Sequence, residues 1–166
     1  MTFAFRHLKQ ITAKQLSIFI ALFILSIALD QWVKFIMLEG FVWESEAITI
    51  GGRALVYNKG VAFSMFSFLE EYLKYIQILL LIILFAGALW SDFFIKHYVP
   101  LGILIGAGLS NIIDRFVYEG VVDYVYWHYW FDFAIFNLAD VLIDISVVLM
   151  IYQMLQEKRN GGHDWT

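Results

Sequence analysis

Apolar residues dominate four stretches of the chain, Ser17 to Leu38, Tyr72 to Trp90, Val99 to Val117 and Phe136 to Leu155. Each is close to the roughly 20 residues a helix needs to cross a hydrocarbon core, so the pattern predicts four transmembrane helices. The first run follows Arg6, Lys9 and Lys14, as a signal peptide would. No small-x-small cleavage site follows it, and the run continues through Asp30-Gln31-Trp32-Val33-Lys34 to Leu38, which predicts a retained helix. Between the first two runs, Phe41 to Tyr57 is rich in β-branched and aromatic residues around Gly51-Gly52 and predicts a short hairpin turning at that pair. Ala62 to Leu69 is expected to lie as an amphipathic element in the interface. The aromatic run Tyr124 to Phe133 reads mainly as a membrane-boundary belt. No repeat or second domain interrupts residues 1–166, which are expected to form a single polytopic membrane domain with outer segments 39–71 and 118–135 and a frayed tail at 160–166.

Composition supports the bilayer reading. The 166 residues are 61% hydrophobic and 16% charged, which in water would leave large apolar patches exposed. A net charge of −4 supplies no basic surface for phosphates, so nucleic acid is not expected as a partner. The absence of cysteine excludes a thiol nucleophile, disulfides and thiolate metal sites. His7, His97, His128 and His163 lack ligand spacing, so a metal site is not expected.

Charge placement gives an orientation. Arg6, Lys9, Lys14, Lys96, Lys158 and Arg159 flank the helices on one side, which places both termini in the cytoplasm. The other side carries Glu39, Glu44, Glu46, Glu70 and Glu71 against Arg53 and Lys59.

Polar residues inside the spans need a physical reason, because a charge near the bilayer centre costs at least ~2.5 kcal/mol. Asn111, Asp114 and Arg115 share one helix face by their spacing, as do Asp30 and Lys34. Asn137, Asp140 and Asp144 form a third stripe. Asp123 lies just beyond the third helix and Asp140 just inside the fourth, so a folded-back outer segment can bring these two carboxylates to one depth. Such a pair shares a proton, letting one member activate water while the other polarises a carbonyl. For Asp30, Lys34, Asp114 and Arg115, ion pairing at helix ends is favoured over direct catalysis, and Asn111 and Asn137 also fit interhelical hydrogen bonding. Gly102 and Gly106 predict close helix packing. Asp144 can pair with Lys34, extend the acidic network or stay protonated.

In order and spacing, five blocks resemble the lipoprotein signal peptidase (signal peptidase II) family: Asp30-Gln31-Trp32-Val33-Lys34, Tyr57-Asn58-Lys59-Gly60-Val61-Ala62-Phe63-Ser64, Asn111-Ile112-Ile113-Asp114-Arg115, Val121-Val122-Asp123-Tyr124 and Phe136-Asn137-Leu138-Ala139-Asp140. The resemblance implies a membrane all-α core of four transmembrane helices with a small extracytoplasmic β-rich cradle. It implies a catalytic pair at Asp123 and Asp140, supported by Asp30, Lys34, Asn58, Asn111, Asp114, Arg115 and Asn137. The implied activity is that of an aspartic endopeptidase of the bacterial inner membrane. It would act on diacylglyceryl-modified prolipoproteins and cut N-terminal to the lipidated cysteine, near the outer face. Partners expected on this basis are those substrates and membrane lipid, with the enzyme acting as a monomer and with no metal or organic cofactor. Ser110 before Asn111, and Gly106-Ala107-Gly108 where the family usually has a glycine pair, depart from its pattern but keep small residues. On this reading Phe63, Met65, Phe66 and Phe68 receive acyl chains, while Asn58, Asn137 and Arg115 hydrogen-bond peptide carbonyls.

Other classes remain open at this point. A Ser/Lys peptidase would use Lys34 with Ser26, Ser64 or Ser110. A proton or ion conduit would also need intramembrane carboxylates, but spread through the bilayer rather than gathered toward one face. A structural membrane subunit explains the polar residues least well.

Overall fold

A computed structural model describes residues 10–60 and 70–161. The expected elements at Ala62 to Leu69, with Phe63, Met65, Phe66 and Phe68, lie outside the described residues, as does most of the expected tail. Among the described residues, four helices are long and apolar enough to cross a membrane: α1 Ala13–Leu38, α2 Glu70–Trp90, α3 Phe93–Val117 and α4 Leu138–Gly161. Thr12 caps α1 in a capping box with Gln15, which starts the helix four residues before the apolar run. The third helix also begins earlier than expected. It continues back from Val99 to Phe93 across a kink at His97, because Pro100 lacks the N–H that would bind the preceding turn.

α3 is the central helix and packs against the other three. Its small residues permit this. A Cβ on Gly102 would stand 2.8 Å from the Phe19 carbonyl oxygen and one on Gly106 2.5 Å from that of Phe23, so α1 backbone fills the space a side chain would need. Gly108 on another face meets Leu81 of α2. Toward one end, Phe19, Phe85, Phe94 and Leu101 form an aromatic-rich core. The outward faces of α1, α2 and α4 expose Ile24, Leu80, Ile83, Val148 and Ile151. These suit a hydrocarbon solvent, in which apolar exposure carries no penalty.

At the other end the described residues form two small antiparallel sheets. β1 Val42–Glu44, β2 Ile48–Gly51 and β5 Val125–Trp127 form one in the order β1-β2-β5, while β3 Val56–Asn58 pairs with β4 Val121–Asp123. The hairpin expected around Gly51-Gly52 turns elsewhere. The β1–β2 reversal is at 45–47, where Ser45 Oγ accepts from the N–H groups of Ala47 and Ile48. Gly51 and Gly52 instead have φ of +69° and +51° and carry the chain through a single 3-10 turn, Gly52–Ala54, from one sheet to the other. Under the strands, Met37, Val122 and Tyr124 form a second core that seats the sheets on the ends of α1 and α4. Part of the aromatic run is therefore strand, and Tyr124 is buried, while Tyr129, Trp130 and Phe131 are exposed as a boundary belt requires.

Candidate active site

The polar stripes of three spans converge beneath the sheets. Lys34 in α1 is fully buried, with Nζ 2.6 Å from Asp30, 2.6 Å from Asp114 and 2.8 Å from Asn111 Oδ1. Both acids are saturated by further donors. Asp30 accepts from Ser110 Oγ at 2.7 Å and from the Ala139 N–H in the first turn of α4 at 2.8 Å. Asp114 accepts from Gln31 at 2.8 Å and from the Val122 N–H of β4 at 3.1 Å. This cluster joins α1 to α3, to the start of α4 and to β4. It leaves neither acid free to meet a substrate. Asp114 pairs with Lys34 rather than with the neighbouring Arg115.

Arg115 clamps the chain after β3. Its guanidinium donates to the carbonyls of Asn58, Lys59 and Gly60, and the Gly60 N–H donates back to Asn58 Oδ1 at 3.0 Å. Asn58 Nδ2 is thereby aimed at Asp123 Oδ2, 3.0 Å away.

The sequence Asn-Leu-Ala-Asp caps its own helix. Asn137 Oδ1 accepts the Asp140 N–H at 2.9 Å, and Asp140 Oδ2 accepts the Asn137 N–H at 3.1 Å, a reciprocal box in the first turn of α4. The fully buried Asn137 amide donates to Asp123 Oδ1 at 2.7 Å and to Asn111 Oδ1 at 3.1 Å. Asn111 in turn donates to Asp140 Oδ1 at 3.0 Å. Asp123 and Asp140 are thus held through one asparagine, and both line a cleft of about 530 Å³ together with Asn58, Asn111, Arg115 and Asp144. Burial pushes the Asp123 carboxyl up to about 7, and the neighbouring Asp140 charge adds to this, against the hydrogen bonds from Asn58 and Asn137.

All nine site residues expected from sequence therefore fall in one connected region, but with different tasks. Asp123 and Asp140 face the cleft. Asp30, Lys34 and Asp114 lie behind it. The Asn137 amide and the Arg115 Nη atoms are engaged inside the protein, where they hold Asp123 and the loop after β3, while the buried Arg115 Nε has no partner among the described residues. Asp144 does not reach Lys34's cluster and lines the cleft instead. Sequence reasoning gave no separate role to Gln31, Tyr124 or Gln77, and weighed Ser110 as a nucleophile where the structure has it donating to Asp30. Tyr124 is buried and its hydroxyl oxygen accepts the Leu138 N–H at 3.0 Å, a second contact securing the start of α4. A signal for Gln77 was present, as an amide alone within the apolar run of α2.

The sequence model of the peptidase family described as signal peptidase (SPase) II matches residues 22–156. The lipoprotein signal peptidase of Wolinella succinogenes is 58% identical over 136 residues, covering 81% of this chain and 90% of that protein. That of Helicobacter acinonychis is 53% identical over 152 residues, covering 90% and 95%. A solved structure described as a bacterial membrane enzyme, determined by the in meso method at 2.3 Å resolution, matches with a TM-score of 0.73 and 26% identity. It covers 89% of this chain and 93% of that one.

Proposed function

Since the chain belongs to the signal peptidase II family, we propose that it hydrolyses prolipoproteins with an aspartate pair, Asp123 and Asp140. Family membership makes it a multi-pass membrane protease that removes lipoprotein signal peptides. The aspartic mechanism rests on one observation. Asn137 tethers both carboxylates at the same cleft, while every other acid within its hydrogen-bonded network is saturated behind it.

The two carboxylates share one proton. Asp123, pushed up to about 7, retains it and donates a hydrogen bond to the scissile carbonyl oxygen. Asp140 lies in the first turn of α4, where the helix N-terminus favours an anion, and takes a proton from water. The water oxygen bonds to the carbonyl carbon. Collapse of the tetrahedral intermediate breaks the C–N bond, the amine of the lipidated cysteine leaves with a proton, and a carboxylic acid ends the signal peptide. Withdrawal from bulk water strengthens each of these hydrogen bonds.

The substrate is a diacylglyceryl-modified prolipoprotein, already partitioned into the bilayer by its acyl chains, and it enters from lipid. The asymmetry of charges supports cytoplasmic termini, with Lys14, Lys158 and Arg159 at one end and the sheets and cleft at the other. A single copy contains the whole site.

Purified enzyme should cleave such a substrate in detergent, and Asp123→Asn and Asp140→Asn should not. Ser26→Ala, Ser64→Ala and Ser110→Ala should all remain active. Loss of cleavage in one serine variant, with both asparagine variants active, would favour a Ser/Lys mechanism.

A further inference from the structure

The cleft continues past the aspartate pair. Asp144 lies four residues beyond Asp140 in α4 and lines the same cleft, about 6 Å deeper at ~1.5 Å rise per residue. Gln77 of α2 also lines it. The Gln77 Oε1 atom is buried with no hydrogen-bond partner among the described residues. Lys34, the cation that neutralises Asp30 and Asp114, directs its Nζ to those two acids and to Asn111. A buried amide oxygen without a donor carries a standing penalty unless something supplies one, and Asp144, exposed in the wall of the same cleft, offers further acceptor oxygens.

A peptide drawn through this cleft supplies such donors. A signal peptide crosses the bilayer as a helix, with its N–H groups bonded internally. Presenting one peptide bond to two carboxylates requires the adjoining residues to leave that helix. The freed N–H groups then lie where no water replaces the lost bonds. Extended chain advances about 3.3 Å per residue, so a subsite about 6 Å deeper meets the chain about two residues from the scissile bond. The deeper side is the side of the departing signal peptide.

We infer that Asp144 and Gln77 form an acceptor subsite for main-chain N–H groups of the signal peptide two to three residues before the scissile bond. This rests on the reading of the cleft as the peptidase site. It adds a determinant of substrate binding that lies outside the aspartate pair and its supports. The subsite reads backbone rather than side chain, so it holds signal peptides of varied sequence in one register.

The test uses full-length enzyme in detergent and synthetic diacylglyceryl-modified substrates in which an ester oxygen replaces the peptide N–H two or three residues before the scissile bond. In the wild type, one such replacement should lower kcat/KM about tenfold, mainly through KM, as expected for one lost hydrogen bond. Asp144→Leu combined with Gln77→Leu should lower kcat/KM for the all-amide substrate and erase the difference between amide and ester. Asp144→Asn, which keeps an acceptor oxygen, should retain most of that difference. An unchanged ester penalty in the double variant, or no penalty in the wild type, overturns the subsite. The wild-type comparison needs no substitution, so a folding failure of a variant does not rescue the idea. Cleavage by Asp123→Asn would instead overturn the aspartate-pair reading. Inactive Asp123→Asn with an unchanged ester penalty would sink the subsite alone.

Discussion

Asn137 and Asp140 cap each other across the first turn of α4, at 2.9 Å and 3.1 Å, while the same Asn137 side chain donates to Asp123 at 2.7 Å. One residue thereby sets the helix start and the spacing of two carboxylates. Asn137→Ala removes a cap worth about 1 kcal/mol, yet it also releases the Asp123 side chain. Cleavage should fall by about 100-fold or more with only a few degrees' loss of melting temperature. A rate loss no larger than the loss of folded enzyme explains would contradict a positioning role.

The pH profile should fall on the alkaline side. The account needs a proton on Asp123, and that carboxyl is pushed up to about 7 chiefly by burial. Protonated enzyme predominates below that pH and is lost as pH rises through it, so the rate of the chemical step should decline with a midpoint near 7. The Asn58 hydrogen bond favours the ionised form and so lowers this value. Asn58→Leu should therefore move the alkaline limb to higher pH. Single-turnover rates across the pH range check both statements, and an Asn58→Leu limb displaced to lower pH would reject the assignment.

Lys34 lies fully buried between two buried carboxylates. Lys34→Met leaves Asp30 and Asp114 without their shared cation, and stranding buried charge in this way typically costs 3–5 kcal/mol, on the order of a domain's whole stability margin. The expected result is a large drop in melting temperature in detergent, with activity lost alongside folding. Unchanged melting would show that the cluster is not a structural weld.

Close packing of α1 on α3 makes a second stability prediction. A Cβ on Gly106 would meet the Phe23 carbonyl oxygen at 2.5 Å, whereas Gly87 in α2 has open space. Gly106→Val should destabilise by about 1–3 kcal/mol through overpacking, and Gly87→Ala should be neutral or slightly stabilising. Parallel thermal unfolding of the two variants decides this.

Much of the architecture is legible in the sequence because the bilayer demands long apolar runs, and these define four spans to within several residues at either end. The Asp30–Lys34 pair is legible from its spacing alone. Its third member, Asp114, is not, since the contact joins residues 80 positions apart and depends on how α1 crosses α3. The cap formed by Asn137 and Asp140 was present as a polar residue followed three places later by an acid before an apolar run, a pattern easily read only as catalytic chemistry. The Gly51-Gly52 pair misled because a glycine pair between strand-like runs signals a hairpin, while here the positive φ values serve a crossing between two sheets. The separation of Asp123 and Asp140 from Asp30 and Asp114 was visible only in three dimensions, where the first two line the cleft and the last two pair with Lys34 behind it.

In the proposed mechanism Asp123 and Asp140 act as one catalytic unit. Its most direct test is the single-turnover cleavage rate of a diacylglyceryl-modified prolipoprotein by wild type, Asp123→Asn, Asp140→Asn and the double variant, each verified as folded by thermal unfolding. Either single change should lower the rate by about 10³-fold or more, and the double change should cost little beyond one of them, because the parts of a unit are not additive. Near wild-type cleavage by either single variant would contradict the mechanism.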